Sequence, residues 1–104
     1  MHALIAGRRV AYDFTPGPVE APVIAFVHGL AASKEVWAGT DQAIGARFGV
    51  LRYDLRGHGD SDPLDAPCGR SDLARDLIML MDGLEVSRAV LVGHSAGGVV
   101  AMQT

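Results

Sequence analysis

Apolar residues in this chain follow two kinds of pattern. Short unbroken runs, Val23-Ile24-Ala25-Phe26-Val27 and Ala89-Val90-Leu91-Val92, have the length and β-branched content of buried strands. Val50-Leu51-Arg52-Tyr53 is a third strand, ending the segment that Gly49 opens. Residues 2–6 and 9–14 read as two short strands joined by a tight hairpin turn at Gly7-Arg8. Helical spacing is clearest where Leu73, Leu77, Leu80 and Leu84 recur at i, i+4, i+7 and i+11. Ala74, Ile78 and Met81 widen that stripe, Ser71 is its expected N-cap, Asp72 its first helical residue, and Gly83 loosens its end. A weaker stripe, Val36, Trp37, Ile44 and Phe48, has Ser33 as N-cap and Glu35 in its first turn, with Gly39 and Gly45 against it. Residues 15–22 and 54–67 carry the Gly, Pro and Asp of turns and loops. Strands alternating with helices predict an α/β fold, a mostly parallel sheet with helices on its faces.

The strand at 89–92 runs into Gly93-His94-Ser95-Ala96-Gly97, followed by the small and apolar Gly98-Val99-Val100-Ala101-Met102. Strand, glycine-flanked serine and helix in that order form the G-x-S-x-G nucleophile elbow. Such a turn is so sharp that side chains two residues either side of the serine would collide, hence Gly93 and Gly97. Ser95 is then expected in a strained conformation with Oγ projecting. The Ala96 N–H, at a helix N-terminus, is expected to face an oxyanion.

Composition narrows the classes. At 104 residues the chain holds one domain at most, and 49% hydrophobic residues allow a real core. A net charge of −3 with both signs scattered gives no basic surface for nucleic acid or a membrane. Cys68 stands alone, which excludes an intrachain disulfide and makes a cytoplasmic setting the default. No signal peptide or membrane-length apolar run is legible. The chain stops nine residues after Ser95. A helix of that length spans only about 14 Å, so truncation is the expectation.

Three motifs stand in one order, each after an apolar strand: His28-Gly29-Leu30, then residues 54–61 (Asp54-Leu55-Arg56-Gly57-His58-Gly59-Asp60-Ser61), then Gly93 to Gly98. Together they resemble the α/β-hydrolase superfamily, in its serine-nucleophile branch of esterases, lactonases, C–C hydrolases and cofactor-free haloperoxidases. The resemblance implies that Ser95 is the nucleophile and that the backbone N–H groups of Leu30 and Ala96 are the oxyanion donors. It implies a sheet order of 1-2-4-3-5 with the last three of eight strands absent, and helices on both faces. Residues 1–104 would then be the N-terminal part of a single domain, ending just after the elbow. The family's acid and histidine follow the nucleophile in the chain, yet no Asp, Glu or His follows Ser95 here. The lid that shapes the acyl pocket would also lie beyond residue 104. Cofactors and metals would be none, and the partner a small-molecule carbonyl substrate.

His94 is expected to leave its strand on the face opposite Ser95 and to pack or hydrogen-bond there. His28 is expected to shape the turn presenting the Leu30 N–H. His58, near Asp54, Asp60 and Asp62, matches no standard metal spacing. Asp62 interrupts any G-x-G-x-x-G reading of residues 57–62. Asp54 and Arg56 could form an ion pair that fixes the loop. Trp37, Met79, Met81 and Met102 read as core. Cys68 has no base paired with it. The leading expectation is a serine hydrolase working through an acyl-enzyme. The alternatives are a non-catalytic fragment, or a family member that binds a small molecule without turnover.

Overall fold

The structure, a computed structural model, describes residues 1–64 and 66–104, so position 65 of the expected loop lies outside the described residues. Strands β1 (His2–Ile5), β2 (Arg8–Thr15), β3 (Val23–Val27), β4 (Gly49–Tyr53) and β5 (Ala89–Gly93) form one sheet in the order β1-β2-β4-β3-β5. That is the order the resemblance implies. The sheet is mixed: β1 with β2 and β2 with β4 are antiparallel, while β4 with β3 and β3 with β5 are parallel. "Mostly parallel" therefore describes the half that carries the serine and not the whole sheet.

The hairpin turn falls one residue earlier than expected. Ile5 pairs with Arg8, leaving Ala6-Gly7 as the two-residue loop. Both take positive φ, 52° and 81°, as a turn matching the right-handed strand twist requires.

The weak stripe over 36–48 does not become one helix. It breaks into a 3₁₀ turn (Lys34–Trp37), the short helix α1 (Thr40–Ile44) and a second 3₁₀ turn (Gly45–Arg47). Gly39, at φ 85°, interrupts the helical path between the first two. Ser33 does cap the first turn, its Oγ accepting the Glu35 N–H at 3.3 Å.

The strong stripe forms α2 (Arg70–Gly83), which starts earlier than expected. Gly69 is the N-cap, and Asp72 stands in the first turn with its carboxylate accepting the Gly69 N–H at 2.8 Å. An aspartate there answers both the free N–H and the helix dipole, so Ser71 is not needed as the cap. Helix α3 (Ala96–Gln103) follows the elbow.

Core packing follows the two-residue period of the strands. Ala25 and Val27 of β3, opposite Leu51 and Tyr53 of β4, are buried in one cluster with Leu77 and Leu80 of α2 and Val100 of α3. Phe26 projects from the other face, where its ring meets Trp37 at a centroid distance of 4.8 Å. Helical elements thus cover both faces. Leu73, Met81 and Leu84 pack on the core edge, whereas Ile78, Met79 and Met102 are exposed, against the expectation that they are core. Among the described residues no helix is long and apolar enough to cross a membrane.

Candidate active site

The parallel strands β3 and β5 end side by side, Val27 opposite Gly93. Each strand leads directly into a motif singled out in the sequence. After β5 the chain reverses at Ser95, at φ 57° and ψ −118°, a conformation costly for any residue but glycine. Helix α3 begins at the next residue. The reversal is close: a Cβ at Gly93 would stand 2.5 Å from Gly98 Cα, and one at Gly97 would stand 2.6 Å from the His28 carbonyl oxygen. So the first glycine clears its own helix and the second clears the neighbouring strand. The Gly97 and Gly98 N–H groups close the turn onto the carbonyls of His94 and Ser95, both at 2.9 Å.

After β3, Gly29 packs directly on this turn. A Cβ there would meet the His94 carbonyl oxygen at 3.2 Å and Ser95 Cβ at 3.4 Å. The His94 N–H donates to the Val27 carbonyl at 3.1 Å, tying the two strand ends together. Among the described residues, neither the Leu30 nor the Ala96 N–H has a hydrogen-bond acceptor. Ser95, Ala96, Gly29 and Leu30 line a cavity of about 400 Å³ with His94, Ala32, Val36 and Trp37. Its walls are mainly apolar and carry no Asp, Glu, Lys or Arg among the described residues. A second cavity, of about 340 Å³, lies at the other ends of these strands, between residues 16–21 and the Leu84 to Arg88 segment.

His94 departs from expectation. Strand alternation would send it away from Ser95, but both line the same cavity. Alternation ends where extended backbone ends, and the positive φ at Ser95 turns its side chain toward the His94 side. No hydrogen bond joins His94 to Ser95 among the described residues.

His28 is fully buried, its Nε2 accepting the Leu55 N–H at 2.9 Å and its Nδ1 donating to the Gly29 carbonyl at 2.7 Å. Burial holds the imidazole below its usual titration range, and the nearby His58 adds to that. His58 Nδ1 donates to the Arg56 carbonyl at 3.1 Å, with its ring 5.1 Å from that of His28. Among the described residues no three His, Cys, Asp or Glu side chains gather as a metal site.

The expected Asp54–Arg56 ion pair is replaced by two separate arrangements. Arg56 binds Asp76 of α2 in a fork, Nε and Nη2 at 3.0 and 2.8 Å from its two carboxylate oxygens. Asp54 accepts backbone N–H groups instead, from Lys34 at 2.7 Å and Asp60 at 2.9 Å. Adjacent strand-end residues two apart point the same way, but the 54–61 loop turns at once, so Arg56 reaches the helix below. Asp76 was missed in the sequence. The one available signal was an acidic residue inside the apolar stripe, between Leu73 and Leu77.

The sequence model described as alpha/beta hydrolase fold matches residues 22–104. The magnesium-chelatase 30 kDa subunit of Rhodobacter capsulatus is 39% identical over 88 residues, covering 84% of this chain and 31% of that protein. The 3-oxoadipate enol-lactonase 1 of Acinetobacter baylyi is 33% identical over 86 residues, covering 83% of this chain and 32% of that protein. The crystal structure of the enol-lactonase from Burkholderia xenovorans LB400 superposes with a TM-score of 0.88 at 34% identity, over 96% of this chain and 39% of that one. The chain thus spans about a third of the length of these relatives. With the sheet order, the elbow and the family match in agreement, the chain belongs to the alpha/beta hydrolase fold family.

Proposed function

We propose that residues 1–104 are the N-terminal, nucleophile-bearing part of a single α/β-hydrolase domain. We infer that the whole protein hydrolyses an ester, lactone or similar carbonyl compound through an acyl-enzyme. Ser95 Oγ attacks the carbonyl carbon, and a histidine from the chain beyond residue 104, oriented by an acid there, takes the hydroxyl proton. The tetrahedral oxyanion is held by the N–H groups of Leu30 and Ala96. Collapse expels the alcohol, which takes the proton from the histidine, and water repeats the sequence on the acyl group. The chemistry uses side chains and backbone alone.

The observation that carries this reading is the pairing of a strained, exposed Ser95 with two acceptor-free N–H groups around one apolar cavity. Backbone strain of about 1–3 kcal/mol clusters at active sites, where it holds a reacting group in place. The lactonase names of two similar proteins support the substrate class. The test uses the full-length protein with an activated aryl ester and a fluorophosphonate probe. Label is expected on Ser95, and Ser95→Ala is expected to lower kcat by about 10⁶, as in triad deletions elsewhere. Retention of more than a tenth of the activity would sink the assignment.

A further inference from the structure

The Gly29–Leu30 peptide is one planar trans unit, so its carbonyl oxygen and its N–H point in opposite directions. Whatever holds the oxygen aims the hydrogen. Gly29 O accepts from His28 Nδ1 at 2.7 Å and from the Ala32 N–H at 3.3 Å. The other ring nitrogen of His28 faces the Leu55 N–H at 2.9 Å. A backbone amide nitrogen only donates, so Nε2 is the bare nitrogen and Nδ1 carries the hydrogen. The imidazole is therefore fixed in one neutral tautomer, with both polar atoms used and no solvent contact.

The residue before Leu55 acts on the far end of the same loop. Asp54, itself buried, accepts the Lys34 N–H at 2.7 Å through one oxygen and the Asp60 N–H at 2.9 Å through the other. Positions 54 and 55, at the end of β4, thus hold residues 28–34 at both ends. Between the two ties lies Leu30, whose N–H points away from His28 and has no acceptor among the described residues.

We propose that His28 and Asp54 are positioning residues for the Leu30 amide, holding its peptide so that the N–H meets an anion forming at Ser95. This rests on the reading of Ser95 as nucleophile. The aim of the donor matters because an amide displaced from the oxyanion position loses about 10²–10³ in kcat. A packing role alone would be served by any side chain that fills the site, and its loss would follow stability.

Two substitutions separate these cases. His28→Asn puts a donor near the place of Nδ1, and His28→Gln puts an acceptor near that of Nε2. In the full-length protein, His28→Gln is expected to lower kcat by about 10²-fold or more with KM within threefold. His28→Asn is expected to stay within about tenfold of wild type, whatever either does to Tm. Phenylboronic acid, a tetrahedral anion mimic once bound to serine, should move the Leu30 amide resonance in wild type and His28→Asn, and not in His28→Gln. Should His28→Gln fail to fold, Asp54→Asn carries the test, with a fall in kcat at constant KM expected. Equal losses in the Asn and Gln variants that track Tm, or wild-type kcat in a folded His28→Gln or Asp54→Asn, would overturn the proposal. A Ser95→Ala protein that still turns over ester would remove the nucleophile reading and this inference together. An inactive Ser95→Ala beside an unaffected His28→Gln would remove this inference alone.

Discussion

Gly97 lies against the backbone of His28: a Cβ at position 97 would stand 2.6 Å from the His28 carbonyl oxygen. The collision is with the neighbouring strand, not with the strand that leads into the elbow. Backbone at the centre of a sheet cannot move aside as a flexible side chain can. Gly97→Ala should therefore cost more than about 3 kcal/mol, at or beyond the usual range for overpacking. Gly98→Ala is the control, because its Cβ would meet Gly93 O at an ordinary 3.7 Å. That change should be neutral or stabilise by up to about 1 kcal/mol through helix propensity. Chemical denaturation of the two variants checks this, and equal midpoints would mean the elbow is not tight at Gly97.

Ser95 carries the opposite prediction. Its φ of 57° with ψ −118° suits glycine and strains serine. Ser95→Gly should raise stability by about 1–3 kcal/mol while removing turnover. A melt of the full-length variant at lower temperature than wild type would show that the conformation is held by the serine side chain and is not strained.

These two sites also mark what the sequence made legible. The elbow was readable because sterics dictate glycine at fixed offsets from one serine, a constraint local to five residues. The strand order was readable only through resemblance, since nothing between residues 23 and 53 states on which side β3 lies. Boundaries slipped where a backbone group did the work of a side chain. Gly69 caps α2 with Asp72 reaching back, so the more obvious Ser71 misled. Long-range pairing was illegible. Arg56 meets Asp76 across 20 residues, and the nearer carboxylate of Asp54 is taken by backbone amides. Ile78 lies on a helical stripe and Met102 in the apolar run after the elbow, but what covers such residues is decided by neighbouring elements, and both are exposed.

The Arg56–Asp76 fork joins the loop after β4 to α2, with side chains only 10% and 8% exposed. Arg56→Met should cost about 3–5 kcal/mol, because Asp76 would be left as a buried carboxylate without its partner. The double variant Arg56→Met with Asp76→Leu should recover most of that loss, since two apolar groups leave no charge behind. A double-mutant cycle by denaturation measures the coupling. A single-variant loss below about 1 kcal/mol would place the pair in the class of surface ion pairs.

Stability should also fall on the acid side of neutrality through His28. Burial lowers its pKa from 6.5; the Gly29 carbonyl and Asp54 oppose the shift and His58 assists it. Above pH 6.5 the ring is neutral in both folded and unfolded chains, so the contribution is complete there. Below that value the unfolded chain binds a proton that the folded chain does not, and stability declines until the folded-state pKa is reached. His28→Asn should remove this part of the slope on the acid side of pH 6.5. An unchanged slope in the variant would assign the acid sensitivity to other groups.

A polypeptide limited to residues 1–104 would leave one edge of the sheet open. Strand β5 pairs with β3 on one side, and among the described residues no strand pairs with its other side. That open edge runs Ala89-Val90-Leu91-Val92 without charge or proline, and Val90 is 51% exposed. Unpaired N–H and C=O groups flanked by β-branched side chains are a template for pairing between chains. Val99 and Met102 on α3 extend the apolar surface beside it. The polypeptide should therefore self-associate, and Val90→Lys should reduce that by placing a charge on the edge. It should also be inert, because no Asp, Glu or His follows Ser95 to supply a base and its orienting acid. Size exclusion of the wild-type and Val90→Lys polypeptides reads the first expectation, and fluorophosphonate labelling with ester turnover reads the second. A monodisperse monomer that labels at Ser95 and turns over ester would overturn both. Both ring nitrogens of the buried His28 are already hydrogen-bonded, so the base would then be His58 or His94, and His94, which shares the cavity with Ser95, would be the first to replace.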